Sequence, residues 1–284
     1  NRFLSGIAFP ESLTVTSSVE QALDEAEIVI FAVPAASVRD NARIIGKSLN
    51  SRSVVLSATK GMEKNTGKRM TQVLQEELPP NMHDRVSVLS GPNLALEVIQ
   101  GKPASTVVAA VDVDVAVKAQ EVLMSPTFRV YTNTDVVGVE LAGSLKNIIA
   151  LGAGICDGLD YGENTKAAFI TRGLVEITRL GVAAGANPLT FAGLAGLGDL
   201  LATCASPRSR NRYVGEQLAM GLSLRDVLSS MINVAEGVDT TVAALNMALD
   251  LDIHMPITRV TYRILFDGLD PKEAASELMG RAPT

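Results

Sequence analysis

Short apolar runs, each bounded by turn residues, recur along the first half of the chain. They are Glu27–Val33, Ser53–Ala58, Val86–Leu89 and Ala104–Val111. Because these runs are apolar on both faces of the pleat, they are typical of strands that helices cover on both sides. Helical patterns lie between them, at Arg69–Glu77 and Leu94–Gln100. The alternation predicts an α/β fold with a doubly wound, mostly parallel sheet.

After about Thr134 the strand-like runs end and long helical patterns replace them. These patterns are Asp135–Ala153, Lys166–Ala184, Arg210–Ala219, Val238–Leu251 and Ile257–Phe266. A chain of 284 residues is long enough for two domains. We therefore expect a sheet domain at residues 1–134 and an all-helical domain at residues 135–284.

Charge and composition exclude several classes of protein. Lys and Arg total 25 against 31 for Asp and Glu, for a net charge of −6, and 47% of the residues are hydrophobic. This composition is typical of a folded core and not of a disordered or fibrous chain. There is no general basic surface for nucleic acid, so an anionic ligand needs a local cluster of positive groups.

The cysteines, the histidines and the apolar stretches indicate no metal site, disulfide or membrane span. Cys156 and Cys204 lie in apolar segments, and neither they nor His83 and His254 have metal-ligand spacing. The longest uncharged stretch, Leu180–Gly198, contains a proline and several glycines, which is typical of loops and helix ends.

Three of the predicted strands end in turn residues that could form one crevice. These ends are Phe31–Pro34, Ala58–Gly61 and Ser90–Asn93. Ligands of open parallel sheets bind beyond the carboxyl ends of the strands. Lys60 is the only charged residue in these segments, and an exposed lysine before a turn is the alternative interpretation.

Lys146 has an unusual position in its predicted helix. The other polar residues of that helix, Glu140, Ser144 and Asn147, form one narrow stripe, and Lys146 lies roughly 100° away among small and apolar neighbours. Such a lysine either extends to solvent at a rim or lines a pocket. A pocket would lower its pKa and make it a proton donor near neutral pH.

Two segments further along could complete such a site. Gly193–Leu200 is a glycine-rich turn that carries one carboxylate, Asp199, which either caps the next helix or orients a lysine ammonium. Ser206–Arg212 places three arginines at a predicted helix start, where guanidinium groups and free amides could hold a phosphate. A solvated run of charges is the alternative for this segment.

In their order along the chain, these motifs resemble the NAD(P)-dependent glycerol-3-phosphate dehydrogenases of the bacterial and plastid type. The matching segments are Asn1–Gly6, Ala58–Gly61, Ser90–Pro92, Gly143–Asn147, Gly196–Asp199, Ser209–Arg212, Val234–Gly237 and Met255–Thr258. The resemblance implies a Rossmann-like sheet and a reversible reduction of dihydroxyacetone phosphate by NADH or NADPH. The product, sn-glycerol 3-phosphate, feeds glycerophospholipid synthesis.

The resemblance also implies roles for individual residues. Lys146 would be the general acid/base, with Asp199 holding its ammonium and Lys60 as a further catalytic residue. The substrate positions are Lys60, Gly91, Asn93, Lys146, Asp199, Ser209, Arg210 and Asn211. The cofactor positions are Lys60, Ala95, Arg210, Val234 and Glu236. Asn93 stands where the family often has Ser or Thr, and a carboxamide can still donate to a phosphate or hydroxyl.

The sequence contains no GxGxxG turn, the motif that holds a dinucleotide pyrophosphate in this family. We therefore expect the chain to lack its first βαβ unit, together with the strand end that selects NAD or NADP.

Other functions stay open at this point. They are a β-hydroxyacid or sugar-acid dehydrogenase and a non-catalytic nucleotide-sensing domain. Retention of Lys60, Lys146, Asp199 and Arg210 favours an enzyme. The family resemblance also suggests a homodimer, in the cytoplasm or the plastid stroma.

Overall fold

The computed structural model describes residues 6–281, so Asn1–Ser5 of the first matching segment lie outside the described residues. Strands and helices alternate in its first half. They are α1 Val19–Leu23, β1 Ile28–Phe31, α2 Ala35–Ile45, β2 Val54–Ser57, α3 Met70–Glu77, β3 Val86–Ser90, α4 Ala95–Ile99, β4 Ala104–Ala110, α5 Val113–Leu123 and β5 Phe128–Asn133. The four predicted strands are all present.

The five strands form one sheet in the order β1-β2-β3-β4-β5. Neighbouring strands are parallel except β3 and β4, which pair antiparallel with Ser90 opposite Val107. The reversal occurs because the connection from β3 to β4 holds only the short helix α4, whereas a parallel return needs a longer crossover. The sequence pattern did not indicate β5, whose mostly exposed or half-buried residues form no continuous apolar run.

Helices cover both faces of this sheet. All four residues of β2 are buried, with Val55 packed among residues of α2 and α3, and Val54 and Leu56 packed among residues of α5. A central strand buried on both faces explains why its sequence is apolar without alternation. The prediction of a doubly wound α/β sheet is therefore confirmed, with one antiparallel pair as the difference.

The second half is helical. Its elements are α6 Val136–Gly158, α7 Gly162–Ala183, α8 Pro188–Ala192, a π turn at Leu194–Gly198, α9 Asp199–Ala205, α10 Arg210–Ala219, α11 Leu224–Ser230, α12 Glu236–Asp250, α13 Pro256–Phe266 and α14 Pro271–Met279. Among the described residues, α6 is the helix long and apolar enough to cross a membrane, but 89% of its most apolar window is buried inside the protein. That burial is typical of a core helix.

Helices α6 and α10 approach so closely that their glycines contact the opposite backbone. A Cβ atom on Gly154 would lie 1.9 Å from the Arg212 carbonyl oxygen, and one on Gly215 would lie 1.9 Å from the Leu151 carbonyl oxygen. No side-chain rotation can relieve a collision with backbone. This contact fixes the position of the start of α10 relative to α6.

We expect Gly215→Ala to lower the free energy of unfolding by about 3 kcal/mol or more, because the added methyl group forces the two helices apart. In an open helix the same change would stabilise by about 1 kcal/mol. Urea unfolding followed by circular dichroism measures the difference, with Gln217→Ala on the same helix as the control. A Gly215→Ala protein as stable as its parent would contradict the close contact.

Candidate active site

The ends of β1, β2 and β3 lie side by side, as the turn residues predicted. The Thr59 hydroxyl donates to the Val33 carbonyl oxygen at 2.7 Å, which ties the end of β2 to the end of β1. The Lys60 ammonium donates to the Gly91 carbonyl oxygen at 2.8 Å, which ties it to the end of β3. The middle of α6 packs against this edge, where Gly143 lies beside Ser90.

Lys146 lines a pocket and does not extend to solvent at a rim. The residue is 5% exposed, and its ammonium contacts Asp199 and donates to the Thr203 hydroxyl at 2.7 Å. Its helix can reach the strand ends because Gly143 has no side chain: a Cβ there would lie 2.3 Å from the Ser90 hydroxyl oxygen.

Asp199 joins the two lysines. Its Oδ2 atom accepts from Lys60 at 2.7 Å and its Oδ1 atom accepts from Lys146, while the residue is only 2% exposed. It does not cap α9 with its side chain, since the N-cap residue is Gly198 and makes no side-chain cap. Of the two interpretations of this carboxylate, the structure therefore supports the one in which it orients a lysine.

The surroundings of Lys146 lower its pKa into the neutral range. Burial and the positive charge of Lys60 lower the pKa of Lys146 while Asp199 raises it, and the net result is a pKa of about 7. Lys146 can therefore lose and regain its proton near neutral pH. Such a group can both donate and accept a proton during turnover.

Three residues that the sequence did not assign support this arrangement. The Asn147 amide donates to the Lys60 carbonyl oxygen at 3.0 Å, and the Ser144 hydroxyl donates to the Gly61 carbonyl oxygen at 3.1 Å. Thr203 lies one turn after Asp199 on α9. The polar stripe on α6 was the available signal for Ser144 and Asn147, and the spacing of four residues was the signal for Thr203.

The arginine-rich segment leads into α10, and its arginines have different surroundings. The Arg210 side chain is exposed, and its guanidinium makes neither a hydrogen bond nor an ion pair within residues 6–281. The Arg212 guanidinium pairs with Asp157 at 2.5 Å, so a carboxylate of the protein already binds it. Ser209 caps α10, and Asn211 accepts from the Gly237 amide at 2.9 Å.

Asn93 differs from its expected role as a donor. Its side-chain amide already donates to the Ser105 carbonyl oxygen at 3.1 Å. Its Oδ1 atom is buried without a hydrogen-bond partner among the described residues. In this structure the atom of Asn93 that is still available for a hydrogen bond is therefore the Oδ1 acceptor.

The residues at the strand ends fit one side of a dinucleotide. Glu236, the first residue of α12, accepts from the Ala35 amide at 3.1 Å where α2 begins, and burial raises its pKa. A Cβ on Gly61 would lie 2.7 Å from the Glu236 Oε2 atom and 2.8 Å from the Ala35 Cβ atom, so a larger residue here would displace the Glu236 carboxylate. Val234 is 46% exposed and Ala95 begins α4 at the surface. These groups offer an acceptor for ribose hydroxyls and apolar contact for a ring.

Two family models match the chain. The N-terminal model of NAD-dependent glycerol-3-phosphate dehydrogenase matches residues 1–116, and the C-terminal model matches residues 135–276. The chain belongs to the NAD-dependent glycerol-3-phosphate dehydrogenase family. The family that the motifs suggested is thereby confirmed, together with the Rossmann-like sheet.

Relatives of this family are similar along almost the whole chain. A glycerol-3-phosphate dehydrogenase [NAD(P)+] of Dehalococcoides mccartyi strain 195 is 54% identical over 95% of this chain and 76% of its own length. One from Chlorobium limicola is 46% identical over 99% of this chain and 85% of its own. The crystal structure of the Coxiella burnetii glycerol-3-phosphate dehydrogenase has a TM-score of 0.92 at 35% identity, over 99% of this chain and 85% of that one.

Two solved dehydrogenases that act on other substrates are less similar. The D-mandelate dehydrogenase bound to NADH and anilino(oxo)acetate has a TM-score of 0.53 at 10% identity. A ketopantoate reductase of Ralstonia eutropha has a TM-score of 0.51 at 16% identity. At such identities these similarities concern the fold alone.

Proposed function

We propose that this protein catalyses the reversible, NAD(P)H-dependent reduction of dihydroxyacetone phosphate to sn-glycerol 3-phosphate. The observation that carries the proposal is the buried Asp199 carboxylate shared by Lys60 and Lys146. The product is the backbone of glycerophospholipids, so the reaction feeds their synthesis.

In the proposed mechanism Lys146 moves the proton. The nicotinamide, when bound, supplies a hydride to the carbonyl carbon, and the carbonyl oxygen then needs a proton to become a hydroxyl. The Lys146 ammonium donates that proton, and in the reverse direction neutral Lys146 removes it from the hydroxyl. Asp199 holds the charged ammonium in place, and Lys60 holds Asp199 from the opposite side.

The remaining site residues are assigned by their position around this centre. We place the phosphate at the start of α10, where Ser209, Arg210 and Asn211 meet and the Arg210 guanidinium is exposed. Gly91 and Asn93 lie on the opposite side, at the end of β3. For the dinucleotide we assign Lys60, Ala95, Arg210, Val234 and Glu236.

We expect opposite pH profiles for the two directions of the reaction. Reduction needs protonated Lys146, so kcat/KM for reduction falls as the pH rises through about 7. We call this fall the alkaline limb of the reduction profile. Oxidation of glycerol 3-phosphate needs neutral Lys146, so its kcat/KM falls as the pH drops through about 7. Following NADH at 340 nm measures both profiles, and two flat profiles across this region would contradict the role of Lys146.

A substrate comparison tests the function itself. The purified protein is incubated with NADH or NADPH and either dihydroxyacetone phosphate or a β-keto acid. Turnover of the phosphate ester alone supports the proposal, whereas turnover of the keto acid favours a β-hydroxyacid dehydrogenase. Binding of the dinucleotide without turnover of either substrate favours a nucleotide sensor.

We also propose that residues 1–134 form the dinucleotide-binding domain and residues 135–284 the catalytic helical domain. The end of β5 at Asn133 and the start of α6 at Val136 support this boundary.

For the protein as a whole we propose a cytoplasmic homodimer. The unpaired cysteines, Cys156 and Cys204, fit the reducing cytoplasm, and bacterial relatives favour it over the plastid stroma. Light scattering tests the proposed homodimer.

A further inference from the structure

An irregular turn carries Asp199 into the active site. Leu194–Gly198 forms a π turn in which the Gly198 amide donates to the Gly193 carbonyl oxygen at 3.1 Å. Turns of this kind are rare and occur mostly as single turns, often at functional sites. Because α9 begins at Asp199, the geometry of the π turn decides where the carboxylate lies.

Gly196 lets this turn pack against the backbone of Phe191. A Cβ atom on Gly196 would lie 2.1 Å from the Phe191 carbonyl oxygen and 2.5 Å from its carbonyl carbon. Phe191 cannot retreat, because it is 1% exposed and its ring fills the space above Gly181. Any side chain at position 196 must therefore move the turn itself.

Gly198, two residues further along the same turn, has no such restriction. A Cβ there would lie 3.7 Å or more from its nearest neighbours, which is ordinary contact, and its φ of −59° suits any residue. The two glycines thus form a matched pair, since they differ in whether an added methyl group collides with backbone.

We propose that Gly196 is a positioning residue of the reaction, which places the Asp199 carboxylate between Lys60 and Lys146 by seating the π turn on the Phe191 carbonyl group. This inference rests on the proposed function. It adds a residue that touches neither substrate nor cofactor but sets the place of one that holds the proton donor.

Displacement of Asp199 has a consequence that general damage to the fold does not have. The titratable and charged groups around the Lys146 ammonium are Lys60 at the strand end and Asp199 and Cys204 on α9. Burial and Lys60 favour the neutral amine, and Asp199 favours the ammonium. With Asp199 displaced, the pKa of Lys146 falls further, and the alkaline limb of the reduction profile moves to lower pH.

The test compares Gly196→Ala with Gly198→Ala in the full chain. Dihydroxyacetone phosphate reduction is measured as a function of pH, and urea unfolding shows that each variant is folded. We expect Gly196→Ala to lower kcat by about 10²-fold, as misplacement of a catalytic group by about 1 Å does. Its KM is expected to change less, and its alkaline limb to move to lower pH. Gly198→Ala is expected to keep the kcat and the limb of the parent.

Three results would overturn the inference. They are a folded Gly196→Ala protein with the kcat of the parent, a loss of kcat without a shift of the limb, and the same changes in Gly198→Ala. If Gly196→Ala does not fold, Phe191→Leu, which loosens the residue that supports the turn without adding an atom, carries the same expectation and the same refutation. A parent chain without turnover removes the proposed function instead.

Discussion

Replacing Lys146 by methionine is expected to lower kcat by about 10²–10⁴-fold in both directions, the usual contribution of a positioned general acid or base. Methionine has a similar length but cannot carry a proton to or from the substrate oxygen. The ratio of kcat to KM should fall by a similar factor, because proton transfer occurs only in the transition state. Steady-state assays with dihydroxyacetone phosphate and with glycerol 3-phosphate measure both directions.

The stability of this variant separates a catalytic role from damage to the fold. Folding lowers the pKa of Lys146 from its ordinary value of 10.5 to about 7, so this lysine costs stability at any pH below its ordinary pKa, with the full cost below about pH 7, and removing it removes that cost. Asp199 keeps its bond to Lys60. We therefore expect no loss of stability at neutral pH. Lys166→Met, which removes another largely buried lysine from its ion pair with Asp157, is the control and should keep its activity.

Replacing Asp199 by asparagine is expected to have the second largest effect on the reaction. The change keeps the shape of the side chain but removes the negative charge between two ammonium groups. Lys146 then loses its proton more readily, so the alkaline limb of the reduction profile moves to lower pH and kcat at neutral pH falls. Breaking a buried pair costs about 3–5 kcal/mol, and a smaller loss is expected here because Lys146 can become neutral.

Asp157 provides a matched control for that variant. Like Asp199 it is an aspartate bound by two cations, Lys166 at 2.8 Å and Arg212 at 2.5 Å, but it is half-buried and lies at the end of α6 away from Lys146. Asp157→Asn is expected to lose stability without moving the pH profile. An Asp199→Asn profile that coincides with the parent profile would show that Asp199 does not hold the proton donor.

The apolar runs of the sequence were sufficient for the four strands β1 to β4 and for the change to helices after about Thr134. A strand buried on both faces needs apolar residues at every position, so β2 is visible without any structure. Strand β5 lies at the edge of the sheet and exposes Arg129, Tyr131 and Thr132, so its pattern carries no such signal. The antiparallel step between β3 and β4 depends on the length of a connection and not on periodicity.

The candidate site, too, was predictable from the sequence only in part. The residue types and the order of the motifs identified Lys60, Lys146, Asp199 and Arg210 as candidates, because few residue types can donate a proton or hold a phosphate. Periodicity could not tell whether Lys146 lines a pocket or a rim. That depends on how closely α6 approaches Ser90, which Gly143 permits.

What the sequence alone determined is thus the family, the class of fold and the chemical groups available to the site. The resemblance implied that Asp199 holds the Lys146 ammonium, but only the tertiary structure showed that Lys60 shares this carboxylate and that Arg212 pairs with Asp157. The physical reason is that charge pairing and burial act over a few ångströms between residues far apart in the chain. A local pattern records which side chains are present, whereas their partners, and hence the pKa of Lys146, are set by packing.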